Sequence, residues 1–237
     1  MPEHLSQLRE PESPRHGYRG EGSGTSHPFL PAGLTIAISR EAGSRGTSIC
    51  KRAGEKLGWQ VYTQDLLEYV AQESTSRQEI TDNLSPAALH WVEEQLEHIQ
   101  SDARISLHPS LLDTARLILS LGASGEVILI GRGAGCLLPP HATLQVRIVA
   151  PLEERVAYMS QWLGLTPEDA LKQIRVRDQR RAEFVQTHFH RQAADVYQYD
   201  LLLNSTLLGE ELSAELLVQA ARTKAAALVA GIGSCDS

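Results

Sequence analysis

Apolar residues in this chain come in short unbroken runs, separated by longer stretches where they recur every three or four positions. Runs at residues 34–39, 60–62, 127–130, 144–149 and 200–203 predict strands. Helical spacing over 49–57, 66–72, 86–103, 110–121 and 152–163 predicts the helices between them. A further helix has a clear start signal, with Thr166 as cap, Pro167 at the first helical position and Asp169 three residues past the cap, and is expected to run to about Thr187. An alanine-rich helix over 212–229 completes the order. Strands alternating with helices predict an α/β fold with a parallel sheet covered on both faces, because each right-handed crossover carries a helix back over it. The stretch 66–122 is too long for a simple crossover and is expected to form a helical insertion beside the sheet.

The first run ends in Ile38-Ser-Arg40-Glu-Ala-Gly43-Ser44-Arg45-Gly46-Thr47-Ser48, and a helical pattern follows at once. Strand, glycine-containing turn and helix start together have the layout of a phosphate-binding turn, whose amides and helix dipole surround an anion. The usual pattern G-x-x-x-x-G-K-[ST] has a lysine for the β and γ phosphates and a hydroxyl for magnesium. Here Gly43 and Gly46 remain and the lysine does not. Arg45 is the cation inside the turn and a candidate substitute. Ser48, with Thr47 beside it, is the candidate magnesium hydroxyl, and either could instead cap the helix. Arg40 points into the phosphate cleft or pairs with Glu41. A solvated face is the expectation for Lys51 and Arg52.

Composition narrows the possibilities. With 237 residues the chain is long enough for one α/β domain with an excursion, and residues 33–230 are expected to form it. Residues 1–32, rich in Pro, Gly, Ser, His and charge, lack apolar periodicity and are expected to be a flexible arm. A frayed tail is expected over 231–237. No apolar stretch resembles a secretory signal or a membrane span, so a cytoplasmic location is expected. The net charge of −7 argues against non-specific nucleic-acid binding. Cys50, Cys136 and Cys235 are too few and scattered for a disulfide framework or a zinc site. The first two are expected to pack as small apolar groups.

Further motifs sharpen the chemistry. Ile128-Leu-Ile-Gly-Arg132-Gly-Ala-Gly and the following stretch from Pro139 to Arg155 resemble the corresponding part of bacterial cytidylate kinases, where a strand ends in Gly-Arg-Asp. The segments 38–46, 62–67 (Tyr-x-x-Asp-Leu-Leu) and 199–205 (Tyr-Asp-Leu-x-Leu-Asn-Ser) occur in the same order in the cytidylate kinase-like family. The resemblance covers roughly residues 34–218. It implies a P-loop kinase-type five-stranded parallel sheet flanked by helices, with a helical monophosphate-binding insertion and an arginine-bearing lid helix over 164–195. It implies ATP and magnesium as cofactors, and transfer of a phosphoryl group to CMP or dCMP. In that register Gly46 stands at the lysine position and Gly133 at the aspartate of Gly-Arg-Asp.

The resemblance assigns the acceptor to Asp65 and Arg132. Asp65 could equally cap the helix at 66–72. Arg132 directly follows a strand at the carboxyl end of a parallel sheet, where ligands of open α/β folds bind. On the lid, Arg177 and Arg181 are four apart and share a face, with Arg175 and Arg180 nearby. Arg45, Arg132, Arg177 and Arg181 are thus the candidates for contact with the transferring group. His188 and His190 are expected in a loop after the lid helix, not at a metal. The competing readings are a nucleotide-binding regulator that transfers nothing and a kinase for another small acceptor. Small-molecule nucleotides are the expected partners.

Overall fold

The computed structural model describes residues 31–102, 105 and 108–233. The expected arm over 1–30, the end of the 86–103 helix at Ala103, the tail over 234–237 and Cys235 lie outside these residues. Ala32, assigned above to the arm, belongs to the folded body, where its amide donates to Ala123 O at 3.0 Å.

Five strands form one parallel sheet: β1 (Thr35–Arg40), β2 (Gln60–Tyr62), β3 (Val127–Ile130), β4 (Thr143–Val149) and β5 (Leu201–Asn204). Their spatial order is β2-β3-β1-β4-β5, so β1 is central, flanked by β3 and β4. The chain therefore leaves β1 toward one edge and later returns past it toward the other. Brought together at the carboxyl edge are the turns after β1 and β3, the position where open α/β sheets bind ligands.

Helix α1 (Gly46–Leu57) follows β1, and α2 (Gln64–Gln72), α3 (Ser74–Asp82), α4 (Pro86–Ser101) and α5 (Pro109–Ser124) lie between β2 and β3. The short α6 (Ala134–Leu137) follows β3, α7 (Leu152–Leu163) and α8 (Pro167–Phe189) follow β4, and α9 (Ser205–Gly233) follows β5. Strand alternation sends Ile36, Ile38, Ile128, Ile130, Val146 and Ile148 to the face covered by α1 and α9. Ala37, Val127 and Leu129 face the other way, into the core formed with α2, α4, α5 and α6. The all-apolar β3 is buried at every position, as a central parallel strand requires.

The expected strands agree with these to within a residue at either end. Helix α3 was not expected: its sequence STSRQEITD buries no residue, so it carries no apolar stripe to read. The last helix starts seven residues earlier than expected, capped by Asn204 Oδ1 on the amides of Thr206 and Leu207, and kinks at Gly209 (φ 72°). Among the described residues no helix is long and apolar enough to cross a membrane.

The motif Tyr199–Ser205 is an anchoring device. Tyr199 Oη donates to Ala193 O at 2.9 Å, Ser205 Oγ to Val149 O at 3.2 Å, and Asp200 accepts from the Gln145 amide and from Lys224 Nζ. Together these contacts tie edge strand β5 and α9 to β4.

Candidate active site

After β1 the chain turns through Glu41–Arg45. Ser44 is buried, and its amide and hydroxyl both donate to Glu41 O, at 3.3 and 2.9 Å, closing the turn on itself. Gly43 has φ +80°, and a Cβ there would meet Arg155 O at 2.9 Å and Met159 Cγ at 3.0 Å. Glycine is therefore required both by the backbone and by the close approach of α7. Arg45 enters α1 in the left-handed region (φ 57°), and no side chain caps the helix. Neither Thr47 nor Ser48 takes the capping alternative: both lie inside the first turn of α1, and the cap position belongs to Arg45. With no cap, first-turn amides of α1 are left for an external acceptor.

The Arg45 guanidinium lies over the Tyr158 ring, 5.1 Å from its centroid, on the α7 side of the turn. Arg40 reaches toward the turn after β3, with its Nη1 3.5 Å from where a Cβ on Gly131 would stand. It does not pair with Glu41, whose carboxylate instead accepts the Ala150 amide at 3.2 Å and faces Arg155 and Arg147 at 3.6 and 3.8 Å. Burial, with the nearby positive charge of Arg181, pushes the Arg40 guanidinium down to about 10.

The turn after β3 is Gly131-Arg132-Gly133, with φ values of 85°, 53° and 71°. Three successive left-handed residues, one of them an arginine, form a strained backbone of the kind found at ligand sites. Arg132 forms an ion pair with Glu68 of α2 and places its guanidinium 5.3 Å from the centroid of the Phe184 ring. Its Nε is buried without a hydrogen-bond partner. Desolvation lowers its pKa, and Asp65 opposes that shift. A cavity of about 180 Å³ opens beside it, lined by Glu68, Ala71, Gln72, Leu111, Asp113, Thr114 and Arg132.

Asp65 does not cap α2. That role belongs to Thr63, whose hydroxyl accepts the Leu66 amide at 3.3 Å, leaving Asp65 exposed in the first turn. The negative charge of Asp65 opposes, without overcoming, the desolvation that lowers the pKa of Arg40, Arg132 and Arg181.

Of the arginines on α8, Arg181 reaches the cleft and donates to Arg40 O at 3.2 Å. Burial is the main cause of its lowered pKa. Arg177 is exposed and donates to Gln173 at 3.2 Å, and Arg175 and Arg180 are exposed as well. Of the two lid candidates, Arg181 thus faces the turn after β1 while Arg177, one helical turn before it, faces solvent. Helix α8 also runs further than expected, so His188 lies within it, edge-on to Phe184, and His190 is its left-handed cap. Among the described residues no cluster of three or more His, Cys, Asp or Glu could hold a metal ion. Cys50 is fully buried, as expected of a packing cysteine, and burial pushes its thiol up to about 12. Lys51 and Arg52 are exposed, with Arg52 facing Glu210 and Glu211 of α9 at 3.4 and 3.3 Å.

Sequence reasoning missed the group that fastens the turn. Asp178 of α8 accepts the Ala42 amide at 2.7 Å and pairs with Arg155 Nη1 at 2.5 Å. Arg155, 9 % exposed, also donates to Ala42 O and Ala150 O. Asp178 appears in the sequence only as one acid within a basic helix, and nothing local marks its partner 136 positions away. It satisfies the Ala42 amide from within the fold.

Comparison with known proteins fits this geometry. The profile of the cytidylate kinase-like family matches residues 35–207. A cytidylate kinase from Ignicoccus hospitalis is 25 % identical over 182 residues, spanning 77 % of this chain and 95 % of its own length. The crystal structure of an uncharacterized protein from Eubacterium ventriosum superposes with a TM-score of 0.64 at 17 % identity, covering 80 % of this chain and 98 % of that one. The structural likeness concerns the fold alone. With nearly the whole sheet and both turns inside the matched span, the chain belongs to the cytidylate kinase-like family.

Proposed function

We propose that this protein transfers the γ-phosphoryl group of ATP to a nucleoside monophosphate, with CMP or dCMP the first acceptors to test. The observation that carries this reading is the meeting of three arginines from different elements beside an uncapped helix start: Arg181 donates to Arg40 O at 3.2 Å, and Arg40 Nη1 reaches the Gly131–Gly133 turn that holds Arg132. Phosphoryl transfer demands charge neutralisation and alignment more than covalent chemistry, and preformed cations in a water-poor cleft supply both. The pair of acceptor residues, Arg132 and Asp65, stands at the insertion side, and Arg181 arrives from the helix over the turn. The name of the Ignicoccus hospitalis relative supports cytidine nucleotides as acceptors.

The group that suits a triphosphate is the uncapped first turn of α1, since the Ala42 and Ser44 amides of the turn before it are taken by Asp178 and by Glu41 O. Magnesium would be held by Ser48 or Thr47 together with phosphate oxygens. Bound there, it would neutralise charge on the β and γ oxygens. The chain's own groups would orient the two phosphates and exclude water.

The second reading, a regulator that binds a nucleotide without transfer, draws its support from glycine at position 46. A coupled assay over the common nucleoside monophosphates, with ATP and magnesium, tests both. Turnover with CMP that is lost in Arg132→Ala supports the kinase. Tight ATP binding without transfer to any acceptor supports the regulator, and turnover confined to an acceptor other than a nucleotide supports a different small-molecule kinase.

A further inference from the structure

In the pattern G-x-x-x-x-G-K-[ST] the first position is glycine and the seventh is the lysine that reaches the β and γ phosphates. In residues 40–47 Arg40 stands at the first position, Arg45 at the second glycine and Gly46 at the seventh, so a cation and a glycine have changed places between the first and seventh positions. The structure brings the reversed pair into contact. A Cβ on Gly46 would meet Arg40 Cδ at 3.1 Å and Arg40 Cβ at 3.2 Å. The arginine stem therefore crosses the point from which any side chain at 46 would leave the backbone. Its Nη1 extends to 3.5 Å from where a Cβ on Gly131 would stand, which puts the guanidinium between the turns after β1 and β3.

Nothing described neutralises it. Glu41 is engaged by Ala150, Arg147 and Arg155, the Cys50 thiol is uncharged, Arg181 repels Arg40, and the exposed Asp65 is the weakest of the influences on it. A half-buried guanidinium without an ion-pair partner is costly to desolvate, which makes it a candidate for a site completed by an anion. Arg45 does not compete for the role, since its guanidinium is stacked on Tyr158.

Resting on the phosphoryl-transfer reading, we propose that Arg40 supplies from the end of β1 the cation that this loop pattern ordinarily supplies from the helix, and that Gly46 is the complementary half of the exchange. The ligand is the β- and γ-phosphate pair of a nucleoside triphosphate. During transfer the bond between the γ phosphorus and the β–γ bridging oxygen breaks, its electron pair stays on the departing diphosphate, and a bond forms to an oxygen of the acceptor phosphate. Arg40 moves no proton in this step. It balances the charge gathering on the diphosphate.

The test compares wild type with Arg40→Ala, Arg40→Lys and the double variant Arg40→Gly/Gly46→Lys, which restores the ordinary order. Calorimetry measures binding of magnesium-ATP and of adenosine, a single-turnover assay measures transfer to CMP, and circular dichroism verifies the fold of each variant. Arg40→Ala is expected to weaken magnesium-ATP at least about tenfold, to leave adenosine binding unchanged, and to slow transfer about 100-fold or more. The double variant is expected to recover at least about tenfold of that rate. Should Arg40→Ala not fold, Arg40→Lys and the double variant decide by the same readouts. If Arg40→Ala transfers like wild type, or the double variant is no better than Arg40→Ala, the exchange is overturned while the kinase reading stands. If wild type binds magnesium-ATP through Arg40 yet transfers to no acceptor, the kinase reading falls and the cation role survives. Wild type that binds no magnesium-ATP overturns both.

Discussion

Phe189, the last residue of α8, lies so close over Gly133 that a Cβ on the glycine would stand 2.3 Å from its Cε2 and 2.5 Å from its Cζ. This contact explains why the aspartate of Gly-Arg-Asp is missing here. The ring occupies the space the carboxylate would need, and the φ of 71° resists any side chain. Gly133→Ala is expected to cost about 2 kcal/mol or more, from the left-handed backbone and the overpacked ring together. Gly133→Asp should cost more. Urea unfolding checks both, and a double-mutant cycle with Phe189→Ala should show a coupling above about 0.5 kcal/mol. Additive effects would contradict the contact.

The Asp178 carboxylate joins three elements, through the Ala42 amide, Arg155 and the side of α8. Replacing it with alanine leaves Arg155 buried with weaker compensation and strips an acceptor from the turn. Loss of about 3 kcal/mol is expected, the range for breaking one partner of a buried pair, reduced in so far as Asp178 is partly exposed. Arg155→Met, which removes the charge but keeps much of the volume, should cost less than Arg155→Ala. Denaturant midpoints for the three variants give the comparison.

Arg132 serves the acceptor if the proposed function holds, so its loss should divide the kinetic constants. Arg132→Ala is expected to lower kcat/KM for the acceptor about 100-fold and to change the KM for ATP little. Arg132→Lys should recover only a small part, because a compact ammonium cannot reproduce the planar fork that meets Glu68 and Phe184 together. An equal effect on both substrates would move Arg132 out of the acceptor site.

The buried Cys50 thiol gives a pH signature. Its folded pKa is raised from the ordinary 9.0 to about 12 by burial. Between these values the unfolded chain loses the proton and the folded chain keeps it, so folding stability is undiminished below about pH 9 and falls as pH rises toward 12. The expected slope is about 1.4 kcal/mol per pH unit, and Cys50→Ala should lack this component. At pH 8 an alkylating reagent should reach Cys50 only upon unfolding. Rapid labelling of the folded protein at this position would refute its burial.

Much of this architecture was legible in the sequence because local physics wrote it there. β3 is a pure apolar run, α7 spans its expected residues, and Thr166 caps α8 through the Asp169 amide. Where the reading failed, the deciding contact was distant or depended on backbone direction. A left-handed Arg45 sends its side chain to Tyr158, while Arg40, two residues inside the alternation of Ile36 and Ile38, is carried toward Gly46. Thr63 took the cap from Asp65 because a hydroxyl one residue before the helix meets the Leu66 amide. Asp178 and Phe189 could not be read at all, since their partners lie in turns that only the finished sheet brings near.

Those last two residues also set how α8 can behave. Asp178 fastens it to the turn after β1, and Phe189, eleven positions on and about 16 Å along the axis, fastens it to the turn after β3. A helix bolted at two stations cannot peel gradually from one side. Exposure of the sheet's carboxyl edge is thereby a concerted event, with the two turns yoked so that neither yields alone.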